Sequence, residues 1–219
     1  MAQQVFGELL EAILGGRYAP GERLPGQRAL AAQLGVTMTV VREALKRLEQ
    51  MGLVEVRHGA GMVVADVRES GTLDVLAPLL LRDGTIDRAV LADVLEARTL
   101  MLTELAGLAA ERRTEAQVQR LEDLARDIAT APDAAAAQEV DFAWVTELAH
   151  AAGNIVFLLI LNAIRGVYFA HAEQLRVTDG HQELAGLYAA AAAAIRARDP
   201  ETARTAVRML ALVQREAIL

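Results

Sequence analysis

Arg28, Arg42, Lys46, Arg47 and Arg57 fall close together in the chain, with the hydroxyls of Thr37 and Thr39 between them. Guanidinium, ammonium and hydroxyl donors at such spacing suit the binding of phosphates and base edges. An arginine fork matches guanine O6 and N7, or a phosphate, through two parallel hydrogen bonds. No reactive nucleophile accompanies them. The chain has no cysteine, its one serine (Ser70) lies outside any nucleophile-elbow pattern, and no phosphate-cradling glycine loop follows a strand. The chain is therefore expected not to be an enzyme, and no cofactor is expected. The four histidines, His58, His150, His171 and His181, each lack an Asp, Glu or His four residues on. Ordinary surface or core roles are expected for them.

The elements that must position these donors are legible. A short helix, Gln27–Leu34, leads through Gly35 and Val36 to Thr37, and a second helix runs Thr37–Gln50. Two β-type runs, Leu53–Arg57 and Met62–Val64, flank His58-Gly59-Ala60-Gly61. Two helices joined by a tight glycine-containing turn and followed by a hairpin is a winged helix-turn-helix layout, whose natural target is a DNA major groove. In the second helix Val41, Ala44, Leu45 and Leu48 share an inward face. Thr37, Met38, Thr39, Val40, Arg42 and Lys46 are then expected to face outward. Short side chains at that helix's start permit close approach, and its free N–H groups favour phosphate. His58 and Gly59, at the hairpin tip, are placed to enter the adjacent minor groove.

Apolar residues make up 53% of the 219-residue chain and aromatic residues only 4%, which favours helices packed through small side chains. The net charge of −7 at first opposes nucleic-acid binding, but it is unevenly distributed. Residues 1–66 carry seven Arg/Lys and seven Asp/Glu, whereas residues 67–219 carry fifteen against twenty-two. The acidity belongs to the second part, and a locally basic face suffices for phosphate contacts. The opening MAQQVFGELLEAIL has Glu8 and Glu11 within its apolar pattern and reads as an amphipathic helix rather than a signal peptide. The apolar run Ile155–Ile164 is too short to span a bilayer. A soluble, cytoplasmic protein without membrane association is expected.

A first helix is expected over Gln3–Leu14, and a polar linker over residues 67–71. The expected domains are therefore 1–66 and 72–219. After residue 64 the periodicity is helical, with no strands expected. Asp87 caps a helix to Arg112, and Thr114 with Gln117 forms a capping box for the next. Asp133 starts a helix to Ala152 that is closed by Gly153. Asn154 caps Ile155–Glu173, which is apolar nearly all round and so is expected at the buried centre of a bundle. Asp199-Pro200 opens the last helix. The expected fold is mostly α: a winged helix-turn-helix followed by an all-α bundle of six or seven helices.

The N-terminal block resembles the DNA-binding domain of the GntR family of bacterial transcription regulators. The residues carrying the resemblance are Pro20-Gly21, Arg23-Leu24-Pro25, Arg28, Leu30-Ala31, Leu34-Gly35-Val36-Thr37, Val41-Arg42-Glu43-Ala44-Leu45, Leu48, Gly52-Leu53 and Gly59-Ala60-Gly61. It implies DNA contacts at Arg28, Thr37, Thr39, Arg42, His58 and Gly59. Met38 stands where relatives commonly have arginine, and Val40 where a hydroxyl is usual, which implies an altered base preference. The bundle resembles the effector domain of the FadR subfamily, through Leu95-Glu96-Ala97-Arg98, Asp141 and Ala151-Ala152-Gly153-Asn154. Many of its members hold a divalent metal with one aspartate and three histidines. Here Asp141 is kept, but Val145, Tyr188 and Leu210 occupy the histidine positions, so no metal site of that kind is expected.

Glu139–Phe169 and Ser70–Leu81 resemble the subfamily's metal-free, fatty-acid-responsive branch, and Arg98 matches an arginine of its effector pocket. The resemblance fails along Val207–Gln214. It implies an effector such as an acyl-CoA or fatty acid, held in an apolar pocket of Trp144, Val145, Leu148, Tyr168, Tyr188 and Leu210 with Arg98 as its cation. Arg98 has two readings: an anchor for a ligand carboxylate or phosphate, or a structural partner of Asp141. Trp144 likewise reads as core or as a specificity element. The expected function is that of a homodimeric regulator, a repressor by default, that binds a pseudo-palindromic double-stranded DNA operator and responds to a small molecule. Two alternatives stand beside it: response to a small carboxylate, and an architectural DNA binder without effector.

Overall fold

Apolar side chains at three- and four-residue spacing bring the first three helices together around one core. In the computed structural model, which describes all residues except 60, 83, 171–177 and 179, α1 (Ala2–Leu14) turns Val5, Phe6, Leu9 and Ile13 inward. They meet Leu30 and Ala31 of α2 (Gln27–Leu34) and Val41, Ala44, Leu45 and Leu48 of α3 (Met38–Gln50). Gly35 closes α2 in the left-handed region at φ 65°, which glycine adopts without a Cβ clash. Thr37 then caps α3 by accepting the Val40 N–H at 3.5 Å. The strands β1 (Val54–Arg57) and β2 (Gly61–Val64) pair antiparallel, with Val54 opposite Val64 and Arg57 opposite Gly61.

The expected linker is instead structured. Residues Val67–Ser70 form a one-turn helix, α4, capped by Asp66. The Ser70 hydroxyl donates to the Gly52 carbonyl at 2.7 Å, and the Thr72 N–H donates to the Met51 carbonyl at 3.1 Å. Val75 is buried in the N-terminal core. The chain divides into compact units at Leu79/Leu80 rather than at residues 66–72. The polar composition that suggested a linker satisfies backbone groups of the unit it follows.

After α5 (Leu76–Leu80) comes a two-residue hairpin, β3 (Leu81–Arg82) with β4 (Thr85–Ile86). This corrects the expectation of no strand beyond residue 64; a ladder this short leaves no periodicity to detect. The second unit is then a bundle of α6 (Arg88–Arg112), α7 (Glu115–Thr130), α8 (Ala134–Ala152), α9 (Ile155–Ala170), α10 (His181–Arg196) and α11 (Pro200–Ile218). Each expected cap is made. Asp87 accepts from the Ala89 and Val90 N–H groups, Thr114 and Gln117 form the capping box, and Asp133, Asn154 and Asp199 accept from the first turns of their helices. α6 lies against α8, α10 and α11, while α7 lies against α8 and α10. Leu102, Leu105, Leu121, Ile128, Trp144, Leu148, Tyr188, Ile195 and Leu210 fill the centre. Ala191, Ala192 and Ala194 allow the close approach of α10.

One expectation reverses. α9 is not the buried centre: it lies against α8 and leaves Ile155, Val156 and Leu159 at 65%, 57% and 60% exposure. Residues 171–173 of the expected helix, His171 among them, fall outside the described residues. Composition shows that a helix needs cover, not that the same chain supplies it. Among the described residues no helix is long and apolar enough to cross a membrane.

Candidate functional site

In the N-terminal unit, the inward face of α3 fixes what its outer face presents. Thr37, Met38, Thr39, Arg42 and Lys46 are exposed, as is Arg28 on α2, while Val40 is half-buried against the core. The hydroxyl of Thr37 is held as the helix cap. Among the described residues Arg28, Arg42 and Lys46 make no ion pair. The other two cations are engaged elsewhere. The Arg47 guanidinium lies 3.9 Å over the Phe6 ring and donates to Gln3 Oε1 at 2.5 Å, which ties α3 to α1. Arg57 pairs with Glu55 at 2.6 Å along β1.

His58 and Gly59 are exposed at the hairpin tip, where Gly59 and Gly61 both have positive φ. Sequence reasoning missed Arg23. Its guanidinium stands 3.5 Å from where a Cβ on Gly61 would sit, which adds an exposed cation beside the wing. The signal was its place in Arg23-Leu24-Pro25, whose backbone joins the hairpin. Arg23 bridges Val63, and the Leu24 N–H donates to the Met62 carbonyl at 2.9 Å.

In the bundle, Asp141 of α8 gathers side chains from four other helices. Tyr168 of α9 donates its hydroxyl to Oδ2 at 2.7 Å, and Tyr188 of α10 donates to Oδ1. Gln214 of α11 donates its amide to Oδ1 at 3.3 Å and to the Tyr188 oxygen at 2.9 Å. Arg98 of α6 stands 3.6 Å from Oδ2, its side chain 15% exposed against 2% for Asp141. Burial, and then the neighbouring Asp141 charge, hold both tyrosine hydroxyls well above their ordinary pKa, so both remain donors. Trp144 stacks edge-on to Tyr188 at 5.2 Å.

Of the residues expected to line an effector pocket, Arg98, Asp141, Tyr168 and Tyr188 converge here. Trp144, Val145, Leu148 and Leu210 are packed into the core beside Tyr188. Gln214 was missed, because a glutamine one turn beyond Leu210 carries no spacing that marks it as buried. The Trp144 indole N–H and the Gln214 Oε1 are both buried without a partner among the described residues.

The family's metal does not fit this cluster. Hydrogen-bond donors already surround both Asp141 oxygens. Val145 and Leu210 offer no lone pair where histidines would stand. Among the described residues no group of three or more His, Cys, Asp or Glu side chains is placed to hold an ion. His181 instead meets the Ala131 carbonyl at 3.1 Å.

A winged helix-turn-helix presenting unpaired cations, followed by a separate helical bundle, defines a DNA-binding transcription regulator and not an enzyme. Residues 1–64 match the model of bacterial regulatory proteins of the gntR family, and residues 93–211 match the FCD domain. The chain belongs to the gntR family, with an FCD effector-binding domain of the type found in FadR-like regulators. The HTH-type transcriptional regulator Mce2R of Mycobacterium tuberculosis is 40% identical over 166 residues, which cover 76% of this chain and 69% of that protein. The fatty acid metabolism regulator protein of Pasteurella multocida is 30% identical over 161 residues, covering 73% of this chain and 65% of its own length. A solved GntR structure from Streptococcus agalactiae aligns over 99% of this chain and 100% of its own, with a TM-score of 0.54 and 27% identity.

Proposed function

We propose that the protein is a homodimeric, cytoplasmic repressor that reads a pseudo-palindromic operator and releases it when a carboxylate-bearing effector binds the bundle. The DNA reading rests on the unpaired cations around α3. Arg42 and the α3 N-terminus enter the major groove together with Met38, Thr39 and Val40. Arg28 and Lys46 contact phosphate, and His58 and Gly59 follow the minor groove. Met38 and Val40 bring apolar surface where the family commonly has polar groups, which suits thymine methyls. Selection of bound duplexes from a random pool tests this. An enriched inverted repeat is the expected outcome, and a pool without symmetry would sink the dimeric reading.

The effector reading rests on Arg98, the cation at the rim of the Asp141 cluster. At 3.6 Å its contact with Asp141 is longer than a hydrogen bond, so the fork keeps donors for a ligand carboxylate or phosphate. Similarity to a fatty acid metabolism regulator supports a fatty acid or acyl-CoA. A small carboxylate is the second reading, because Trp144, Tyr188 and Leu210 fill the core where an acyl chain would lie. Release requires that the effector bind one of two states more tightly than the other. A thermal-shift panel of acyl-CoAs, fatty acids and short carboxylates on the full chain separates these readings. A ligand at a hundred times its Kd adds roughly 2.7 kcal/mol, and Arg98→Ala is expected to abolish that gain. A panel without any stabilising compound would favour an architectural DNA binder.

A further inference from the structure

We infer that the outer face of α9 is the surface on which a second copy of this chain docks, with the two α9 helices antiparallel across a two-fold axis. The inference rests on the homodimeric reading above and assigns its interface. α9 is the most apolar helix of the bundle. Its sixteen residues include one charge, Arg165. Phe157, Leu158, Leu161 and Ile164 supply its packing against the core. On the opposite side Ile155, Leu159, Asn162, Ala163 and Gly166 share one face at helical spacing, and all are exposed. Val156 widens that face. A helix apolar on both sides is normally covered on both.

Two features select a second copy over an unlike partner. The face is uncharged, since Arg165 is drawn over the rings of Phe142 and Phe169 at 5.3 and 5.6 Å. A two-fold contact sets the same patch against itself, so a charge-free face meets no like charge on self-association, and it offers no charge for an unlike partner to complement. The face is also graded in size, bulky in its first half at Ile155, Val156 and Leu159, and small in its second at Ala163 and Gly166. Among the described residues nothing lies within 4 Å of where a Cβ on Gly166 would be. Antiparallel pairing seats the bulky half of one helix on the small half of the other. Parallel pairing would stack bulk on bulk and leave a gap. Asn162 then lies near the axis, where an amide can pair with its copy and fix the register.

The absence of cysteine allows a direct test on the full chain. Cysteines are bridged when their Cα atoms lie within about 7 Å. Under mild oxidation Asn162→Cys is expected to cross-link to its own copy and Ile155→Cys is not. A mixture of Ile155→Cys and Gly166→Cys chains is expected to give the mixed dimer. Leu159→Arg is expected to raise the dimer dissociation constant about 30-fold or more, as for a central anchor, with an unchanged circular dichroism spectrum. A wild-type chain that is monomeric by light scattering overturns the dimeric reading and this inference together. A wild-type dimer that persists in Leu159→Arg and resists bridging overturns the inference alone. Self-bridging of Ile155→Cys would reverse the helix orientation. A monomer whose stabilisation by a fatty acid is lost in Leu159→Arg would give the face to an acyl chain instead.

Discussion

The guanidinium of Arg98 and the carboxylate of Asp141 stand 3.6 Å apart, joining α6 to α8 at the point where Tyr168, Tyr188 and Gln214 also converge. One carboxylate thereby ties together five helices. Any ligand anion that takes Arg98 competes with Asp141 for it, and so acts on the contact between α6 and α8.

Removing that carboxylate should be costly. Asp141→Ala strands a half-buried arginine, two tyrosine hydroxyls and a buried amide, and is expected to destabilise the bundle by about 3–5 kcal/mol. Asp141→Asn, which keeps the shape and an acceptor, should cost less. Urea unfolding of both variants checks the order; equal, small losses would mean that the cluster is incidental to stability.

Stability should also fall at alkaline pH. Tyr168 and Tyr188 titrate well above the ordinary 10.0 in the folded chain because they are buried beside Asp141. Their stabilising effect is complete below pH 10 and is lost as pH rises towards the folded values, because the unfolded chain alone gives up those protons. The double variant Tyr168→Phe/Tyr188→Phe is expected to be less stable at pH 7 but to show a shallower decline between about pH 10 and 11. Parallel curves would contradict this origin.

Gly52 is fixed by its surroundings. It has φ 71°, and an added Cβ would fall 1.8 Å from the Ser70 carbonyl oxygen, which is backbone and cannot move aside cheaply. Gly52→Ala is expected to destabilise the winged head by about 2–4 kcal/mol, combining left-handed strain with a displaced α4. Differential scanning calorimetry would show it as a lowered transition for that unit.

The neighbours Lys46 and Arg47 should separate in their effects. Lys46→Ala is expected to lower DNA affinity across all sequences and reduce the salt slope by about one. Arg47→Ala removes the stack on Phe6 and should reduce stability while leaving that slope unchanged. Binding isotherms at several salt concentrations distinguish the two. A reduced slope in Arg47→Ala would return that arginine to the DNA face.

Neither added zinc nor chelator is expected to shift the melting temperature of the full chain, since Val145, Tyr188 and Leu210 replace the ligands that an ion would need. A metal-dependent rise reversed by chelator would overturn that assignment.

By itself the sequence determined whatever depends on near neighbours in the chain. Helix ends follow from Asp87, Thr114, Asp133, Asn154 and Asp199 because a cap bonds within three residues. The inward face of α3 follows from the spacing of Val41, Ala44, Leu45 and Leu48, and that spacing orients Arg42 and Lys46. Only the tertiary structure decided what depends on distant residues. Arg47 leaves the DNA-facing set because Phe6 and Gln3 come to it from α1, and Arg23 joins that face because its segment pairs with β2. Gln214 enters the Asp141 cluster through a helix more than seventy residues away. α9 proved to be peripheral because hydropathy records the need for burial but not its partner. That partner is set by packing between helices, which no local pattern of residues encodes.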